Sequence, residues 1–482
     1  MASTCCTQVF SALGALVYPA GTDVYASIEA SYWSTEEASL EPACFFRPHT
    51  STEVSRFISL ISTVTNCDFA IKSQGHAPAA GSANIDRGVT IDLSWLNETT
   101  ITEDRSVASV GTGSSWADVY TTLNPFNKTV AGGRNGAVGV GGLTLGGGIS
   151  YYSPEVGWTC DTVLNFEVVL ASGEIVNANS SHNPDLYRAL KGGGNNFGVV
   201  TRIDYSTIDT VPLRAGHLFQ EQQYLDRVLA AFANIASSIS YDIHASIVMS
   251  LSFNATTQVW TIISVPIYTL PNLNPDVYQD LVAIPRIEEL STVSIENIST
   301  LAVEAPYPQK YQAFFTSTYA ASSQLLIKVF DVANKTLQLA LLPLDVGVSL
   351  TFEPLPIALI QHGARANSLG ISPSDGNGVI LLISVSWSNA TSSGPANHIG
   401  SKLLDAMDAR ARVLLGLHKF KYLNYANPTQ RPLENYGKEN LAFLKNVSTR
   451  YDPGKIFQKK VPGGFKLWSK AELEVKAATE SL

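Results

Sequence analysis

The residues of this chain best suited to chemistry lie in glycine-dense segments. The densest is Ala131-Gly-Gly-Arg-Asn-Gly-Ala-Val-Gly-Val-Gly-Gly-Leu-Thr-Leu-Gly-Gly-Gly-Ile149. Each glycine forfeits helix or strand stability, so the run reads as backbone geometry and not as an ordinary element. Main-chain N–H groups bare of side chains can surround an anion or lie against a flat ring, as in phosphate loops and nests. A second cluster spans 192–198 with Asn195 and Asn196, and a third short loop is Ser73-Gln-Gly-His-Ala77. A lone glycine pair would read as a structural turn, whereas three such loops in one region read as a ligand cradle. Thr144 stands where G-x-G-x-x-G demands its third glycine, and the sequence has no G-x-x-x-x-G-K-[ST] and no G-x-S-x-G. A dinucleotide-binding Rossmann unit, a P-loop and a serine hydrolase are therefore disfavoured. The five cysteines form no C-x-x-C pair and the eight histidines no H-E-x-x-H, which removes tetrahedral metal spacing.

The elements that must position these loops follow from periodicity. Thr50 and Glu53 are spaced as a capping box ahead of Val54, Phe57, Ile58 and Ile61, which predicts an amphipathic helix. Short strands are expected at 69–71, 89–93 and 106–110, and Ser114 or Ser115 caps a helix carrying Trp116, Val119, Tyr120 and Leu123. A hairpin is expected over 165–176, a short helix with Leu186 and Leu190, and a strand over 199–203. From about residue 213 the texture changes to a helix at 224–235 and long alternating strands at 244–253 and 258–268. Helical patterns follow at 311–332, 399–417 and 436–447, with strands at 346–352 and 378–387. The fold class is α+β throughout, with helices segregated against a large antiparallel sheet in the second half.

Composition narrows the partners. With 482 residues the chain is long enough for two or more real cores. Charged residues are only 15% against 45% apolar, which excludes a disordered chain. A net charge of -9 repels a phosphate polymer, so no nucleic-acid partner is expected. No apolar stretch reaches the roughly 20 residues of a membrane span. The first basic residue is Arg47, so no signal peptide is recognised and the cytoplasm is the default. Sequons at Asn97, Asn127, Asn179, Asn254, Asn297, Asn334, Asn389 and Asn446, with the cysteines, keep a secretory route open.

Taken together, several motifs resemble one family. They are Lys72-Ser-Gln-Gly-His76, Val89-Thr-Ile-Asp-Leu-Ser94, the glycine run over 132–148, Cys160-Asp161 and Val168-Val-Leu-Ala-Ser-Gly-Glu174. Further along stand Pro184-Asp-Leu-Tyr-Arg-Ala-Leu-Lys-Gly-Gly-Gly-Asn-Asn-Phe-Gly198, Tyr422-Leu-Asn-Tyr425, Tyr451-Asp-Pro-Gly-Lys-Ile-Phe457 and Pro462-Gly-Gly-Phe465. In order and spacing this resembles the FAD-linked oxidases of the vanillyl-alcohol oxidase / berberine bridge enzyme-like family, fungal secondary-metabolite type. The resemblance implies a two-subdomain FAD-binding domain of p-cresol methylhydroxylase / vanillyl-alcohol oxidase type at 41–212. It also implies an N-terminal extension at 1–40, a substrate domain at 213–418 and a C-terminal segment at 419–482 that returns to the FAD domain.

The resemblance also assigns roles. His76 takes the place of the family's flavin-linking histidine, which implies FAD held by a single covalent link. Relatives with a second link carry a cysteine where this chain has Asn135, and Cys160 lies too far along to replace it. Ser73, Gln74, Gly75 and Ala77 would meet the pyrophosphate, Gly139, Gly142, Gly146 and Gly147 would run along the cofactor, Val200 would lie near the adenine, and Asn424 would hydrogen-bond the flavin. Val138, small at the oxygen-gating position, implies dioxygen as electron acceptor. Tyr422 and Tyr425 are the catalytic candidates, and a tyrosine base would need a lowered pKa. Asn427 stands where relatives carry an acid, which counts against a carboxylate-assisted base. Cys5 or Cys6 would pair with Cys67.

The implied activity is hydride transfer from a small molecule to flavin N5, with oxygen as the oxidant and peroxide as by-product. Three alternatives are a flavin-fold cyclase closing a ring without redox change, a carbohydrate oxidase, and a binding protein that merely holds FAD. The low charge of 213–418 weighs against the carbohydrate reading. Substrate identity and oligomeric state have no signal in the sequence.

Overall fold

The computed structural model describes residues 4–303, 309–469 and 471–473. The outermost residues of the expected N-terminal extension and C-terminal segment, 1–3 and 474–482, lie outside these. Two small sheets and one large sheet organise the described residues, with a further two-stranded pair, Lys128–Thr129 and Ile208–Asp209. In the first sheet, Cys44–Phe46, Val89–Asp92 and Phe69–Lys72 run parallel, and Val17–Pro19 is added antiparallel at the edge. Parallel strands need cover on both faces, and Phe46, Phe69, Val89 and Ile91 are accordingly all fully buried. Helix Ser51–Thr63 supplies part of that cover; Thr50 and Glu53 close the expected capping box at its start. Its buried face is Val54, Phe57, Ile58 and Ile61, as the spacing predicts.

The second sheet is antiparallel, in the order Thr99–Ile101, Val107–Gly111, Val199–Ser206, Val163–Val169, Ile175–Asn179. The third has seven antiparallel strands running from Thr292–Glu296 at one edge to Tyr311–Ala320 at the other. Helices Leu225–Ser237, Ser323–Gln338 and Ser393–Val413 bury one of its faces in a continuous apolar core that includes Met249, Leu251, Leu350, Phe352, Leu381 and Ile383. The opposite face, at Val248, Phe314, Glu353 and Leu382, lines a cavity.

Two sequence expectations are corrected. The helix expected over 311–332 is instead a strand, Tyr311–Ala320, followed by a helix, Ser323–Gln338. The first ten residues are rich in aromatic and β-branched types, and pairing with Gly378–Trp387 along their whole length decides their state. Conversely, the glycine run is not wholly irregular: Val140–Leu145 forms a short helix within it.

Candidate active site

Residues from the three larger sheets and from the C-terminal segment line one cavity of about 920 Å³. Every predicted cofactor residue except Gly147 lines it: Ser73, Gln74, Gly75, His76, Ala77, Val138, Gly139, Gly142, Gly146, Val200 and Asn424. Gly147 instead faces Leu369 and Trp158, away from the cavity. Further lining comes from backbone that the motif reading left without a role, 78–86 and 462–464.

The loop after strand Phe69–Lys72 is held against the second sheet. Ser73 Oγ donates to the Thr112 carbonyl at 2.6 Å, and Thr112 Oγ1 donates to the Val200 carbonyl at 2.7 Å. Gly139 lies so close to this loop that a Cβ would stand 2.3 Å from Ser73 Oγ, so only glycine allows the two segments to meet. At Gly142, by contrast, a Cβ would meet no protein atom within 4 Å. That position opens into the cavity, where a side chain would occupy ligand space. Asn424 stands over Gly146, and its Nδ2 donates to the Leu143 carbonyl and to the Tyr422 hydroxyl, both at 3.0 Å.

Among the described residues the charges in the lining are few: Arg134, Asp86 and Glu353. An anionic pyrophosphate would therefore be held by main-chain N–H groups of the loops and not by cationic side chains. The residues fit a flavin dinucleotide: a roomy cavity walled in part by glycine backbone, with His76 on its lining and no thiol at Asn135. Cys160 is buried beside Asp161 and takes no part in the lining.

At the other end of the cavity three segments converge. Arg134 Nη2 donates to Glu353 Oε1 at 2.9 Å and to the Tyr425 hydroxyl at 2.8 Å, while that hydroxyl donates to the same Glu353 oxygen at 2.9 Å. The other carboxylate oxygen, Oε2, is buried and has no partner among the described residues. Burial, and then the neighbouring Glu353 charge, push the Tyr425 phenol well above its ordinary range. Burial likewise raises Tyr422, which packs edge-on to Tyr425 with ring centroids 4.8 Å apart. Neither tyrosine has the lowered pKa that a phenolate base requires. Phe314 meets Tyr425 edge-on with ring centroids 6.2 Å apart, and Trp33, Val248 and Leu382 line the same cavity.

Sequence reasoning missed Glu353, Arg134 and Trp33. It weighed a carboxylate only at 427, and Asn427 is a buried residue bonded to Gln430 and Thr429, outside the lining. Glu353 is the one charged residue of strand Gly347–Leu355, in a stretch where charge is scarce, and that rarity was the available signal.

The disulfides are Cys5–Cys67 and Cys6–Cys44. Of the two pairings left open for Cys67, the first forms, and the bridge at Cys44 had no precursor in the sequence reading. Among the described residues no helix is long and apolar enough to cross a membrane, and no group of three or more potential metal ligands occurs.

Comparison with known proteins accords with this geometry. Residues 42–179 match the FAD binding domain family. The chain is 35% identical over 464 residues to the FAD-dependent monooxygenase tpcD of Cochliobolus heterostrophus, covering 92% of this chain and 88% of that protein. The chain belongs to the FAD-linked oxidoreductases of the vanillyl-alcohol oxidase / berberine bridge enzyme-like family. This flavoenzyme shares its fold with BBE-like 1 of Physcomitrella patens, at a TM-score of 0.79 and 17% identity over 96% of this chain and 99% of that one. Glucooligosaccharide oxidase of Acremonium strictum, described with a 6-S-cysteinyl, 8α-N1-histidyl FAD, superposes with a TM-score of 0.71 at 19% identity, over 93% of this chain and 97% of that one.

Proposed function

We propose that this FAD-dependent oxidoreductase is an oxidase acting on a small, neutral, largely apolar molecule that presents an O–H or N–H donor to Glu353. The observation that carries the reading is the unpartnered Glu353 Oε2, buried on the cavity lining while Arg134 and Tyr425 occupy the other oxygen. Bound FAD supplies the two-electron acceptor of the reaction. The chain's own residues do the rest. Arg134 and Tyr425 fix the carboxylate in one orientation, and Glu353 Oε2 accepts the substrate proton. Trp33, Phe314, Val248 and Leu382 add apolar surface to the same cavity. The Arg134 and Glu353 charges cancel, so the end of the cavity favours a neutral guest. Tyr425 serves as a hydrogen-bond donor in this reading, and Tyr422 as the ring that sets its orientation.

His76 on the lining and Asn135 in place of a thiol support a single covalent link, unlike the doubly linked glucooligosaccharide oxidase. Val138, which also lines the cavity, supports dioxygen as the acceptor. The relative tpcD comes from a fungus, which supports a place in fungal specialised metabolism. Its name favours a second reading, insertion of one oxygen atom into the product.

The test combines anaerobic mixing with oxygen-18 labelling. An oxidase bleaches its flavin under anaerobiosis and releases peroxide in air with no label in the product. Label in the product replaces this reading with monooxygenation, and turnover without bleaching replaces it with non-redox cyclisation.

A further inference from the structure

We propose that Trp33, on a segment that contributes no family motif, is a positioning residue that sets the plane of the His76 imidazole for covalent flavin attachment. The inference rests on His76 as the linking residue. The two rings stack with centroids 4.5 Å apart and planes 14° from parallel. Trp33 in turn meets Phe314 in an edge contact, at 5.7 Å and 62°. Histidine's ring torsion is broad and roughly two-fold, so an imidazole on a loop samples many orientations unless a flat neighbour removes them.

The backbone around this stack is braced in the same way. Trp33 N–H donates to the Gly75 carbonyl at 3.1 Å, one residue before the histidine. Ser34 Oγ donates to the Pro78 carbonyl at 2.9 Å, and the Tyr32 hydroxyl to the Ala83 carbonyl at 3.0 Å. Glu37 accepts the Ala83 N–H at 2.6 Å and the Gly81 N–H at 3.1 Å. Gly75 has φ +71, and a Cβ there would stand 2.7 Å from the Tyr32 ring, so glycine is what lets the loop close on the brace. The brace is in turn tied to the start of the Phe314 strand, where Thr35 N–H donates to the Lys310 carbonyl at 2.9 Å. The loop carrying His76 is thus held by a segment some forty residues upstream, and Trp33 of that segment stacks on the imidazole.

The bond at stake joins an imidazole nitrogen to the 8α carbon of the flavin. One imidazole N–H and one methyl C–H break, one C–N bond forms, and the two electrons and two protons pass to dioxygen, which leaves as hydrogen peroxide. Orientation matters because a misplacement of about 1 Å is enough to cost about a hundredfold in rate.

The experiment expresses wild type, Trp33→Leu, Trp33→Met and Trp33→Phe as full chains. It measures, on the flavin-containing fraction, how much flavin stays with acid-precipitated protein, together with the mass of the His76 peptide. The two non-aromatic variants are expected to attach flavin about tenfold more slowly, seen as a reduced acid-stable fraction, while Trp33→Phe restores the wild-type value. A wild-type acid-stable fraction in either non-aromatic variant overturns the proposal, as does Trp33→Phe behaving like Trp33→Leu. Wild-type protein with no flavin on the His76 peptide overturns the linkage itself, and the role of Trp33 with it.

Discussion

Removing either partner of the Arg134–Glu353 pair should be far more damaging than removing both. The side chains are 16% and 4% exposed, so each ion has left most of its water behind and depends on the other. Glu353→Leu strands a buried guanidinium, and Arg134→Met strands a buried carboxylate. Each should cost about 3–5 kcal/mol, the penalty for an uncompensated interior charge. The double variant replaces the pair by apolar groups of similar volume and should come back to within about 1–2 kcal/mol of wild type, giving a coupling energy of several kcal/mol. Glu353→Gln separates stability from chemistry, because its amide oxygen can still accept from Arg134 and Tyr425. It should fold with a loss of about 1–2 kcal/mol and yet reduce flavin about a hundred- to ten-thousandfold more slowly, for lack of a proton acceptor. Urea unfolding of the holoenzyme, followed by circular dichroism, gives the cycle, and anaerobic stopped-flow bleaching gives the rate. A double variant destabilised by the full sum of the singles would refute the pairing argument. A Glu353→Gln enzyme bleaching within tenfold of wild type would remove Glu353 from the chemistry.

Other expectations rest on separate contacts. Gly142→Leu should leave the melting temperature of flavin-free protein almost unchanged, because nothing in the protein opposes a side chain there, yet it should abolish flavin retention, read as the absorbance ratio of purified protein. Gly139→Ala should cost about 1–3 kcal/mol by driving a methyl group into Ser73, measured by denaturant unfolding. Replacing Cys5 and Cys67 together by serine opens a 62-residue separation and should cost about 2–4 kcal/mol, seen as an earlier unfolding midpoint. Burial holds the Glu37 carboxyl up at about 8 against an ordinary 4.5, so between those values the folded chain keeps a proton that the unfolded chain has lost. Stability should therefore fall as pH rises through that window, by about 4–5 kcal/mol in all, and Glu37→Gln should flatten the dependence in urea titrations at pH 5 and pH 8.

What the sequence showed and what it hid differ by the kind of chemistry involved. A cradle built from main chain needs glycine wherever two segments touch or a ligand lies, so it leaves a dense compositional mark at 131–149 and 192–198, with Gly75 alone marking the loop 73–77. The capping box at Thr50 and the alternating strands were equally legible, because each is decided by neighbours a few residues away. Tyr311–Ala320 was misread for the opposite reason. Its state is set by pairing with Gly378–Trp387, some seventy residues on, and local spacing does not register that pairing.

The triad is the extreme case of that non-locality. Its members are 219 and 72 residues apart along the chain, and each belongs to a different element: Arg134 to the glycine run, Glu353 to the seven-stranded sheet, Tyr425 to the short turn Leu423–Tyr425. One carboxylate needs only a single position on a strand, and the antiparallel register that sets Glu353 opposite Ile380 decides where that position falls. A flavin cradle can thus be written repeatedly in glycine, whereas the group proposed to meet the substrate is a lone acid in a strand otherwise like its neighbours. The two scales meet in Arg134, which belongs to the glycine run and yet pairs its charge with Glu353 on the seven-stranded sheet. Changing Glu353 while leaving the cradle untouched should therefore alter what the enzyme turns over before it alters whether FAD binds, and flavin content measured beside substrate scope in the Glu353 variants tests that ordering directly.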